Sequence, residues 1–143
     1  MDEKKNKTNK KENPLFWSSL VLITNMWLAF FIGQYTYSFL FASLTISSLI
    51  VHSHSNIITN LWDKLWVFSV VFYGGYQMYL KSESANPFLF TFCVLTFLFC
   101  VWVYIYGFIE SRFVFDTRIQ VSNIYHIGMH CIGSLGHHAI LIL

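Results

Sequence analysis

Apolar positions come in long runs, without the alternation of a half-buried strand. From Leu15 to His52 hydrophobicity is almost unbroken, roughly twice the ~20 residues that a bilayer core accommodates. The one polar-leaning interruption, Gly33-Gln34-Tyr35-Thr36, divides the run into a tight hairpin of two helices, 15–33 and 36–52. Three further runs follow at 61–80, 87–109 and 121–143, separated by the polar stretches 53–60, 81–86 and 110–120. Hydrocarbon offers no partner for backbone N–H and C=O groups, so every crossing segment must be helical. The pattern therefore predicts an all-α integral membrane protein, a bundle of five transmembrane helices in one domain over 15–143.

Composition agrees: 55% of residues are apolar, 11% are charged and the mean hydropathy is +0.52, which excludes an ordinary soluble domain. Five of the nine basic residues, Lys4, Lys5, Lys7, Lys10 and Lys11, stand before the first run. The net charge of +2 therefore describes a tail and not a nucleic-acid-binding face. Segment 1–14 is too polar to bury anything and reads as a disordered, Lys-rich tail; the run after it is longer than a signal-peptide core and stays as the first span. If the tail is cytoplasmic, its side also carries Lys64, Arg112 and Arg118, against Lys81 alone on the other. The amino terminus is then inside and, after five spans, the carboxyl terminus outside. Cys93, Cys100 and Cys131 form no CxxC pair and read as packing residues. Gly74, Gly75 and Gly128 are candidates for close helix approach.

The last run contains His126 and His130. Four residues apart, they lie on one helix face about 6 Å apart along the axis, a spacing that suits two ligands of one metal ion. A catalytic zinc needs a third protein ligand and an open position. In the topology above, His52 closes the second span, Asp63 opens the third and His126 opens the fifth, all on the cytoplasmic side. Polar groups within membrane helices are costly and usually face the bundle interior, which makes this layer a functional-site candidate. Neutral His52, His126 and His130 would form a three-histidine zinc site whose bound water, with a pKa of about 7, is a nucleophile at neutral pH. Asp63 could orient that water or accept its proton. Ser48, one turn before His52, could donate to a developing oxyanion.

The bland readings of these residues differ. His54 reads as an interfacial loop residue. His137 and His138 lie about 10–12 Å farther along the helix than His130, too far for the same ion. They read as bonded within the bundle, or else as the polar lining of a substrate cavity.

Ser48-x-x-x-His52, Asp63 in Trp62-Asp63-Lys64-Leu65 and His126-x-x-x-His130 together resemble the CREST superfamily of membrane hydrolases. That superfamily includes alkaline ceramidases and the progestin/adiponectin-receptor group. The eleven-residue step from His52 to Asp63 is most similar to the ceramidases. The resemblance implies Zn2+ held by His52, His126 and His130, with Ser48 and Asp63 as polar partners, in an enzyme that hydrolyses a lipid amide such as ceramide. For a eukaryotic chain it implies an internal membrane, endoplasmic reticulum or Golgi. The family has seven spans and this chain five, as if a pair were missing between the aspartate helix and the last, which preserves the orientation of the last. Asp2, Glu3 and Glu12 are scattered among lysines, so no calcium site is expected. Two other readings remain: a membrane haem protein with axial histidines from the second and fifth spans, and a binding-only receptor or structural subunit.

Overall fold

The computed structural model describes residues 14–143, which are all-helical, with no strand among them. The segment 1–13 expected to form a disordered tail lies outside the described residues. Pro14, assigned above to that tail, instead opens the first helix, where its missing N–H and fixed φ cost nothing.

Helices α1 (Pro14–Ser19) and α2 (Leu22–Phe31) form one rod, its α-helical bonding interrupted at Leu20 and Val21. Helix α3 (Tyr35–Ser53) returns beside it, and α4 (Ile57–Lys81), α5 (Pro87–Glu110) and α6 (Ile119–Ile142) complete the bundle, with a 3-10 turn at Phe113–Phe115 before α6. Three of these rods are long and apolar enough to cross a membrane: Pro14–Phe31, α3 and α5. Helices α4 and α6 are as long as α5, at 25 and 24 residues, but are studded with polar residues.

The expected break between the first two runs falls at Gly33, whose φ of +78° lies in the left-handed region open to glycine. Gly33 N–H bonds Phe30 O and Gln34 N–H bonds Ala29 O, a pattern that satisfies two end carbonyls and turns the chain. The α3–α4 linker is shorter than the polar stretch 53–60 suggests. Asn56 accepts from Thr59 N–H at 2.8 Å while Thr59 Oγ1 accepts from Asn56 N–H at 3.0 Å. This reciprocal cap starts α4 at Ile57, inside the polar stretch. Asn86 caps α5 through Phe88 and Leu89 N–H, with Pro87 at the first helical position. Before α6, Asp116 accepts from Arg118 N–H and from its guanidinium, bonds that hold the Asp116 carboxyl down to about 2.

Helix α6 packs against α1, α2, α4, α5 and the 3-10 turn, while α3 packs against α1, α2 and α4. Tyr37, Phe41, Val70, Cys93 and Ala139 belong to the core. The surface is unlike that of a water-soluble bundle. Phe31, Phe72 and Phe88 are 77%, 74% and 82% exposed, whereas Asn25, Ser47 and Ser134 are 0%, 1% and 2% exposed. Large exposed rings over an interior that also buries polar side chains are compatible with a surrounding apolar solvent.

Of the glycines singled out for close approach, Gly74 fits: a Cβ there would meet the Tyr37 hydroxyl at 2.8 Å and His137 Cε1 at 2.9 Å. Gly75 and Gly128 face nothing within 4 Å, and the tight α5–α6 contact is made at Gly136, where a Cβ would meet Thr96 Oγ1 and, at 3.2 Å, Thr96 Cβ. Thr96 Oγ1 already donates to Cys93 O at 2.8 Å, so it cannot swing away without losing that bond. Gly136→Ala should therefore destabilise the bundle by about 1–3 kcal/mol through overpacking, read as an earlier unfolding midpoint in denaturing detergent. Gly136→Ala combined with Thr96→Ala should lose less than the sum of the single changes, and strict additivity would mean that this contact does not limit packing.

Candidate metal centre

His52 lies in the last turn of α3, and His126 and His130 lie in the first half of α6. The structure brings all three together. Ring centroids are 5.0 Å apart for His52 and His126, 5.7 Å for His52 and His130, and 4.9 Å for His126 and His130. One nitrogen from each lies within 4.8 Å of the other two, and all three rings are half-buried. Among the described residues this is the group of His, Cys, Asp or Glu side chains arranged to hold a metal ion. Tetrahedral bonds of about 2.0–2.1 Å would set the nitrogens roughly 3.3 Å apart. Small side-chain rotations close that difference, so the donor set fits zinc.

Asp63, in the second turn of α4, is buried and accepts from Ser47 Oγ at 3.1 Å. Its other oxygen faces Lys64 Nζ at 3.8 Å. The Ser47 bond ties α4 to α3 between one and two turns before His52. Asp63 is not among the clustered donor atoms. Ser48, one residue on and about 100° around α3, bonds Ser19 Oγ at 2.9 Å. The serine that meets the aspartate is thus Ser47, and Ser48 joins α3 to α1.

The first rod supplies partners that spacing alone did not single out. Ser18 Oγ lies 2.8 Å from His130 Nδ1, and Asn25 Nδ2 donates to Ser134 Oγ. Asn25 Oδ1 is a buried acceptor with no hydrogen-bond partner. On α6 the polar positions His126, His130, Ser134 and His138 recur every four residues and so share a face. His138 Nδ1 donates to Ser134 O at 2.8 Å, and His137 Nδ1 bonds the Tyr37 hydroxyl. Both histidines are thus bonded within the bundle, the plainer of the two readings given above. His138 also lines a cavity of about 380 Å³ with Val21, Thr24, Cys131, Ser134 and Leu135. Cys93 is buried, with Sγ 3.8 Å from Gly136 O, and all three cysteines are free thiols.

Compared with known proteins, the chain matches no family, no curated protein and no solved structure.

Proposed function

We propose that this chain is a five-span membrane protein with its amino terminus in the cytoplasm, and that its three clustered histidines hold zinc in a hydrolase of lipid amides. The carrying observation is the convergence of His52 with His126 and His130, residues more than 70 positions apart in the sequence, whose ligand atoms lie within 4.8 Å of one another. The membrane reading extends to α4 and α6 because several of their polar residues turn inward. Asp63, Gln77 and Ser134 are buried, whereas Phe68, Phe72 and Leu135 are exposed. The resemblance of the Ser48, His52, Asp63, His126 and His130 pattern to CREST hydrolases supplies the substrate class, a ceramide-like lipid.

When bound, zinc supplies Lewis acidity that brings the pKa of a coordinated water to about 7. The chain's own residues then have separate tasks. His52, His126 and His130 offer neutral nitrogens toward one point. Asp63, anchored by Ser47 at the same end of the bundle, is the group that takes up a proton. Ser48 can donate to an acyl oxygen if it exchanges its bond with Ser19. The cavity lined by Val21, Thr24, Cys131, Ser134, Leu135 and His138 offers an apolar chain a bed between the first rod and α6.

The haem alternative fits the geometry less well. A macrocycle holds its two axial imidazoles on opposite faces of a plane, whereas these three rings meet within 4.9–5.7 Å and leave the third without a role. Purified full-length protein incubated with a panel of lipid amides and esters, and read by mass spectrometry, tests the hydrolase. Fatty-acid release from a ceramide-like amide, abolished by a chelator and restored by zinc, is expected. Zinc-loaded protein inert on the whole panel would instead favour a binding-only role.

A further inference from the structure

Ser18 stands at the end of α1, just before the break in the first rod, and is almost wholly buried. Its Oγ lies 3.0 Å from Leu15 O and 2.8 Å from His130 Nδ1. A carbonyl oxygen only accepts, and a serine hydroxyl has one hydrogen to give. With that hydrogen on Leu15 O, the contact to His130 is a bond only if the ring nitrogen carries the proton. The opposite assignment, with the Ser18 hydroxyl donating to an unprotonated Nδ1, gives up the bond to Leu15 O. A neutral imidazole protonated at Nδ1 keeps its lone pair on Nε2.

We propose that Ser18 is a positioning residue, which accepts from His130 Nδ1–H and so fixes the tautomer whose Nε2 is open to the metal. The proposal rests on the reading of the three histidines as a metal site. A partner on the non-ligating nitrogen is what orients a histidine toward a metal and sets its basicity. Burial strengthens the bond, because little water competes for either group.

The neighbouring serine supports the same proton assignment. Ser19 Oγ also lies 2.9 Å from Leu15 O, and with its hydrogen there the 2.9 Å contact with Ser48 is made by the Ser48 hydroxyl donating to Ser19. Leu15 O, which as a helix carbonyl also faces the backbone N–H four residues on, lies within reach of the hydroxyls of two adjacent serines. In that assignment each serine is an acceptor toward a different helix, Ser18 toward α6 and Ser19 toward α3. The short first helix therefore ties together the two helices that carry the histidines.

The test uses full-length protein in detergent micelles, with 15N-labelled histidine, first metal-free and then titrated with zinc alone. In the metal-free wild type, His130 should show a protonated Nδ1 and an unprotonated Nε2, and zinc should move the Nε2 signal. Ser18→Ala should mix the tautomers and weaken zinc binding by about 10- to 100-fold, the usual cost of losing such a partner. Ser18→Thr keeps the hydroxyl and should restore both readouts, which a mere loss of packing would not predict. A wild-type His130 protonated at Nε2, or a Ser18→Ala protein with unchanged tautomer and zinc affinity, would overturn the proposal. A wild type that keeps Nδ1–H but takes up no zinc would overturn the metal reading while supporting the Ser18–His130 bond, so the two failures are distinguishable.

Discussion

His126→Ala and His130→Ala proteins should each lose the metal that the wild type is expected to carry at about one zinc per chain. With either change only two of the three clustered imidazoles remain, fewer than the three protein ligands of a catalytic site. The expected effect is a loss of stoichiometric zinc and not a modest weakening. His52→Ala should behave in the same way, because its ring centroid lies 5.0 Å from that of His126 on the other helix. His138→Ala is the internal control. That residue shares the α6 face but donates Nδ1–H to Ser134 O, three turns from His126, so its loss should leave zinc content unchanged. Metal analysis of the four proteins, alongside circular dichroism to establish that each remains helical, decides the matter. Full zinc occupancy in His126→Ala or His130→Ala would remove the cluster as a metal site.

The cluster was legible in the sequence because both of its parts obey local rules. Two histidines at a helical spacing of four must share a face, and a histidine closing an apolar run toward the same end of the bundle could reach them. The hairpin break was legible for a similar reason, since a glycine between two apolar runs marks a chain reversal. The start of α4 was misplaced because hydropathy sees Asn56 and Thr59 only as polar. Their side chains in fact close a reciprocal cap, and the Asn-x-x-Thr spacing before an apolar run was the available signal.

The partners of the site belong to a different class of information. Nothing local distinguishes Ser47 from Ser48, yet a rotation of about 100° sends one to Asp63 and the other to Ser19. Ser18 and Ser19 look like ordinary small residues in an apolar run until α1 is set against both α3 and α6. Close approach at glycine is legible only in part for the same reason, since Gly74 meets Tyr37 and His137 as expected. Gly128 has no neighbour, whereas Gly136 meets Thr96, and that depends on how α5 and α6 pair and not on either helix alone.

Asp63→Asn should keep zinc and lose most of the proposed turnover. Three imidazoles already provide the protein's share of a catalytic zinc site, and Asp63 stands outside the clustered donor atoms, so its carboxylate is not needed to hold the ion. A positioned group that takes up a proton is typically worth about 10²- to 10⁴-fold in rate, and the loss should fall in that range. The amide retains an oxygen that can accept from Ser47 Oγ, which preserves the α3–α4 tie and keeps the substitution from acting mainly through folding. Ser47→Ala supplies the complementary change: it leaves the carboxylate in place but removes its anchor, so turnover should fall by less than in Asp63→Asn. The structural alternative is that Asp63 serves only its contacts with Ser47 and Lys64 near the start of α4, where a negative charge also suits the helix dipole. Zinc content, unfolding midpoint and hydrolysis rate measured on the same preparations separate the two. An Asp63→Asn protein with wild-type rate and a lowered midpoint would assign Asp63 to the scaffold and leave proton uptake to another group.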